Sequence, residues 1–148
     1  GHPPLKSLAA MTEAYYLNED SSLYLKGPLS DDEAERVYNA VIGINDEQIK
    51  NELKRALLGT NPLFREGCLR LAQNVSDQIA KLNQLQQSIA IVHATDDKAV
   101  QFSYLEKLKI NSLWENRIQL IDGSGHHAII EKPAELALIL DRYFGSAD

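Results

Sequence analysis

Cysteine, proline, glycine and positive charge are all scarce in this chain of 148 residues, and each shortage removes a class of protein. The single cysteine, Cys68, allows no internal disulfide and fits a reducing cytoplasm. Five prolines and eight glycines are too few for a collagen-like or low-complexity chain. Fifteen Lys and Arg against 21 Asp and Glu leave a net charge of −6, so the basic footprint that phosphate backbones require is missing and no nucleic-acid partner is expected. No unbroken apolar run approaches the roughly 20 residues of a membrane span, and no signal-peptide pattern opens the sequence. The expectation is a soluble, cytoplasmic protein without a membrane partner. The first residue is Gly1 rather than Met, which reads as a tag remnant or a fragment. What is present is ordinary globular material, 44% hydrophobic and 24% charged, of a length that suits about one domain.

The hydrophobic period changes near residue 85. Before it the pattern is helical. Leu5 to Tyr16 is a helix candidate, and the polar stretch Asn18 to Pro28 reads as a loop. Ser30 and Glu33 stand at capping-box spacing, which predicts a helix from Asp31. Its apolar stripe is Ala34, Val37, Tyr38, Val41 and Ile42, and Gly43 is placed to end it in a left-handed cap. Ile49, Leu53, Ala56 and Leu57 repeat the pattern before Gly59. Asn61-Pro62 then supplies a cap and a first-turn proline, and Phe64, Cys68, Leu71, Ala72, Val75, Ile79 and Leu82 continue the spacing.

After residue 85 the pattern is that of strands alternating with helices. Ser88 to His93 is apolar on both faces and β-branched, as in a parallel strand covered by helices on both sides. A helix follows from Phe102 to Leu108, then a second strand from Arg117 to Ile121 joined by a crossover expected to be right-handed. Glycines 123 and 125 turn the chain, and Pro133 opens a last helix with the stripe Leu136, Ala137, Ile139, Leu140, Tyr143 and Phe144. Two strands are only marginally stable alone, and their edges carry unpaired amides. The edge along Ile89 to Val92 is therefore expected to meet further strands, from an N-terminal half or from a second copy of the chain.

In an open α/β sheet the reactive side chains lie just beyond the carboxyl ends of the strands. One such loop is His93-Ala-Thr-Asp-Asp97, and the other is Gly123-Ser-Gly-His126. Parallel strands lie about 5 Å apart, so an acid and an imidazole on these loops can meet. A carboxylate that accepts a hydrogen bond from one ring nitrogen fixes the tautomer and leaves the other nitrogen to take a proton from a nucleophile. Spacing favours Asp97 over Asp96 as the acid, and the Gly125-His126 junction favours His126 over His127 as the base.

At these residues the chain resembles the α/β-hydrolases. The resemblance rests on Ile89 to Asp97, Leu113-Trp114, Ile118 to His126 and Glu131-Lys-Pro133. That family places its acid three residues after the Gly of a His-Gly-x-x-Asp loop, a position occupied here by Ala94, and follows its histidine with a proline seven residues later, here Pro133. The resemblance is best over residues 85–144. It implies a C-terminal α/β part over 85–148, two strands with flanking helices, preceded by a helical cap over 1–84, with Gly1 to Pro4 at the end of the sixth strand. It further implies that Asp97 and His126 are two members of a Ser-His-Asp triad acting on a small apolar ester-like substrate, with no cofactor. No Gly-x-Ser-x-Gly occurs, and Ser124 lies between glycines in the wrong element. The implied chain is inactive alone, lacking the nucleophile elbow and oxyanion hole.

Blander roles suit the remaining candidates. His127 reads as solvent-facing or as a support to His126, and His93 as a packed core histidine. No short ligand spacing of histidines and acids occurs on one element, so no metal site is expected. Cys68 falls on a helical apolar stripe and reads as a small core residue. Tyr15, Tyr16, Tyr24 and Phe64 suit either packing or a pocket beneath the cap, and the charges from Asp46 to Arg55 read as a solvated face. The rival function is a non-catalytic interaction module that associates through its cap helices and open sheet edge.

Overall fold

The computed structural model describes residues 19–25, 28–65, 67 and 75–145. The elements run α1 (Glu19–Ser22), a 3-10 turn (Leu23–Leu25), α2 (Asp31–Val37), a π-helical turn (Tyr38–Ile42), α3 (Glu47–Gly59), α4 (Val75–Leu82), β1 (Val92–Ala94), α5 (Phe102–Leu105), a 3-10 turn (Trp114–Asn116), β2 (Gln119–Ile121), α6 (Ala128–Glu131) and α7 (Pro133–Gly145). The expected helix over Leu5 to Tyr16, the placement of Gly1 to Pro4, and the readings of Tyr15, Tyr16, Cys68, Leu71 and Ala72 lie outside the described residues.

Local chemistry sets the ends of the early helices. The Ser30 hydroxyl accepts from the Glu33 amide at 3.2 Å, and the Glu33 carboxylate accepts from the Ser30 amide at 2.9 Å, a complete capping box. Ala34, Val37 and Tyr38 are buried, as the stripe requires. The last turn widens to π geometry, with the Gly43 amide donating to the Tyr38 carbonyl at 2.9 Å. Tyr38 is held from its other end, where its hydroxyl donates to the Ile44 carbonyl at 2.6 Å. Gly43 closes the segment at φ 65°, where a side chain would strain the backbone. Asp46 caps α3 through the Ile49 amide at 3.0 Å, and Asn61 accepts from the Leu63 amide at 2.9 Å to open the helical turn over 62–65.

Two expectations for this region are corrected. The stretch read as a loop contains α1 and its 3-10 turn, because Glu19 and Asp20 open a helical turn and both bind Arg36 of α2. The face from Asp46 to Arg55 is not simply solvated either. Lys50 and Lys54 of α3 both close on Glu35 of α2, lowering the Glu35 pKa to about 2.

The sheet is a parallel pair with Val92, His93 and Ala94 opposite Gln119, Leu120 and Ile121. Its regular ladder is shorter than the apolar run promised. Ile89 makes only an isolated parallel bridge to Leu113, because Glu115 and Asn116, both at φ 53°, kink the partner chain before it can pair continuously. The amides of Trp114 and Gln119 donate to the Ile89 and Ile91 carbonyls, each at 2.8 Å. Odd-numbered residues of this segment thus face β2, and parallel geometry turns the backbone groups of Ala90 and Val92 to the opposite edge. Helix α5 ends at Leu105, short of Leu108, and continues as turns.

Helix α7 fastens the kink and the sheet. Arg142 pairs with Glu115 and stacks over the Trp114 ring at 5.1 Å, and the Tyr143 hydroxyl donates to the Ser88 carbonyl. Leu138 and Phe144 on the same helix remain 64% and 68% exposed, and Leu120 of β2 is 49% exposed. Among the described residues no third strand pairs with β1 or β2, and Leu120, Leu138 and Phe144 leave apolar surface exposed.

Candidate active site

The two loops beyond β1 and β2 are laced together by backbone bonds. The Thr95 amide donates to the Ile121 carbonyl at 3.0 Å, and the Asp96 amide to the Ser124 carbonyl at 2.9 Å. The Thr95 hydroxyl donates to Asp122 at 3.2 Å and accepts from the Gly123 amide at 2.9 Å. Gly123, at φ 63°, makes the turn that brings the second loop back over the first.

This lacing brings Asp97 and His126 into contact. Nδ1–H of His126 donates to the Asp97 carboxylate, 3.0 Å from Oδ2 and 3.1 Å from Oδ1. Oδ1 also accepts from the amides of Ala99 at 2.7 Å and Val100 at 3.0 Å, which fixes the carboxylate independently of the histidine. The Asp97 side chain is only 7% exposed, whereas that of His126 is 34% exposed. Among the described residues no hydrogen-bond partner meets His126 Nε2, the ring nitrogen that Asp97 does not engage.

The electrostatics follow from this geometry. Burial pushes the Asp97 carboxyl up, but the bonds from His126 and from the Val100 and Ala99 amides outweigh it and hold the group below its ordinary value. For His126 the Asp97 hydrogen bond raises the pKa against burial, and the charges of Asp97 and Glu131 add to it. His127 moves the other way, lowered first by burial and then by the charge of its neighbour.

The other sequence candidates fall into supporting places. His93 is buried and stacks on Phe102 with ring centroids 5.3 Å apart, its Nδ1 3.9 Å from Asp97 Oδ2. His127 stands edge-on to His126 at 5.1 Å, half-buried rather than solvent-facing. Asp96 is exposed and is not brought to either imidazole. Ser124 is fully buried and its hydroxyl donates to the Gly125 carbonyl at 3.2 Å, so it is not presented as a nucleophile. Phe64 is 64% exposed and Tyr24 39% exposed. No group of three or more His, Cys, Asp or Glu residues suited to a metal, and no helix long and apolar enough to cross a membrane, occurs among the described residues.

Sequence reasoning missed two supports. Thr95 ties the loops together, and Glu131 folds back under the histidine loop, accepting from the Gly125 amide at 3.0 Å and the His127 amide at 3.3 Å. Glu131 belongs to the Glu-Lys-Pro run already singled out, but nothing in one sequence shows that its carboxylate turns backwards.

No protein-family model matches the chain, and no curated protein matches it significantly in sequence. Among solved structures it is similar to the N-acyl homoserine lactonase AidH complexed with N-butanoyl homoserine, at a TM-score of 0.79 and 23% identity, over 96% of this chain and 51% of that one. A mutant of AidH complexed with N-hexanoyl homoserine lactone matches at 0.79 and 23%, over 97% and 52%. The chain thus spans about half the length of the structures it matches. At this identity the likeness is one of fold: the chain has the architecture of a C-terminal portion of an α/β-hydrolase.

Proposed function

We propose that this chain is the cap-bearing C-terminal portion of an α/β-hydrolase, with residues 1–84 as the cap and 85–148 carrying the acid and base of a Ser-His-Asp triad. The Asp97 to His126 contact carries this reading. Asp97 holds the ring with Nδ1–H inward, leaving the Nε2 lone pair to take a proton from a serine hydroxyl as that oxygen attacks a carbonyl carbon. The imidazolium is then stabilised by Asp97 and returns its proton to the leaving oxygen as the acyl bond breaks. Water, deprotonated by the same nitrogen, releases the acid product and regenerates the serine.

The serine and the oxyanion donors belong to a further segment or a partner chain, which would also pair the edge at Ala90 and Val92 and cover Leu120, Leu138 and Phe144. The alternative partner is a second copy of the chain, seated on the same edge without catalysis. The substrate class is a small, largely apolar ester. The lactonase neighbours favour a cyclic ester within that class.

The test is H126A in the polypeptide that joins this chain to a serine elbow. Loss of turnover by about a thousandfold or more, with folding intact, is expected. Near-normal kcat removes His126 from the mechanism. Elution of the chain alone as a dimer, with no upstream serine elbow in its gene, favours the interaction module.

A further inference from the structure

The loop that presents His126 has no regular secondary structure between β2 and α6, yet its base must sit within a few tenths of an ångström of a fixed position. Asp97 grips only the ring, at Nδ1. Something else has to fix the backbone from which the ring projects.

Glu131 meets that need. Its Oε2 accepts from the amide of Gly125 and its Oε1 from the amide of His127, the two residues that flank His126. One planar carboxylate thereby bridges the backbone on both sides of the imidazole. The fit is close: a Cβ built on Gly125 would lie 2.9 Å from Oε1 and 3.2 Å from Oε2. Gly125 is thus glycine because the carboxylate lies against its backbone, whereas Gly123 is glycine because of its positive φ. Two amides of an irregular loop are satisfied as well, which water would otherwise have to do.

We infer that Glu131 is a positioning residue for His126, a carboxylate clamp that orients the loop so that the imidazole meets Asp97 with Nδ1 and the substrate side with Nε2. It touches no reacting atom and acts through His126. The inference rests on the reading of His126 as the base, but its test needs no turnover and so is distinguishable from a failure of that reading.

The experiment follows the imidazole by nuclear magnetic resonance in the 148-residue chain, reading the low-field Nδ1 proton and the His126 titration midpoint. The charged and titratable groups about the ring are Asp97, Glu131 and His127, with His93 across Asp97. In E131A the low-field proton is expected to disappear and the midpoint to fall towards the ordinary 6.5. G125A removes no charge and requires no unusual φ, but its methyl displaces the Glu131 carboxylate, a flexible side-chain end. It is expected to abolish the same proton signal with the fold retained. E131Q keeps one acceptor without the charge and is expected to retain part of the signal. Wild-type proton signal and midpoint in both E131A and G125A overturn the inference. Should E131A fail to fold, G125A alone decides. A fallen midpoint with the low-field proton intact in every variant assigns Glu131 a purely electrostatic effect and overturns the positioning role.

Discussion

Asp97 and His126 stand 29 positions apart in the chain, yet carboxylate and imidazole meet at 3.0 Å because each lies just beyond one of two paired parallel strands. The acid is held by backbone amides and the base by the acid, so the two ends of the contact are unequal. Asp97 keeps its place without His126, whereas the imidazole depends on Asp97.

That inequality predicts the behaviour of D97N. The Asn oxygen still accepts from the Ala99 and Val100 amides, so the melting temperature should fall less than when both bonds are removed. Its other terminus is an NH₂ donor that favours the opposite tautomer of His126. In the completed hydrolase kcat should fall about 10⁴-fold. Steady-state kinetics beside thermal denaturation check this, and a large stability loss with little change in kcat would speak against it.

D97A, by contrast, should destabilise the fold. It removes the acceptor for two amides at the start of the following turn, a change that costs about 1–2 kcal/mol. Urea denaturation of D97A and D97N side by side measures the difference. Equal stability of the two variants would mean that the amide bonds contribute nothing.

The pair also gives stability a definite pH dependence. The His126 pKa is raised above its unfolded value of 6.5, so its contribution is complete below pH 6.5 and is lost as pH rises through the folded value. The Asp97 pKa is lowered below its unfolded value of 3.8, so its contribution is present above pH 3.8 and lost as pH falls through the folded value. The melting-temperature difference between wild type and H126A should therefore be greatest between pH 3.8 and 6.5 and shrink on either side. A difference independent of pH would contradict the ion pair.

Between α2 and α3, E35Q should lower the melting temperature modestly by releasing Lys50 and Lys54. These groups are near solvent, so the loss should diminish as salt is added. An effect that persists undiminished in molar salt would point to packing instead. S30A should cost about 1 kcal/mol through loss of the capping box, read by the same denaturation assay.

Features set by neighbours in sequence were legible without coordinates. Ser30 with Glu33, Asp46, Asn61 and Gly43 act within one turn of themselves, and all but the Asp46 cap were expected from spacing. The meeting of Asp97 with His126 was legible for a related reason, since strand ends and turn glycines fix where a loop side chain can reach. Long-range geometry was not. The first strand begins at Val92 because a kink at Glu115 and Asn116 delays its partner, and no property of Ser88 to Ile91 reports that. Lys50 and Lys54 form an inter-helix clamp only because Glu35 comes alongside. Glu131 turns back under Gly125 through a fold of the chain that spacing does not encode.

The tautomer of His126 above its titration midpoint tests the account most directly, read from the nitrogen chemical shifts of the labelled chain. Protonated Nδ1 with a bare Nε2 is predicted, because only that form donates to Asp97 and leaves a lone pair for a nucleophile's proton. A proton resident on Nε2, or a ring averaging between forms as free imidazole does, would contradict it.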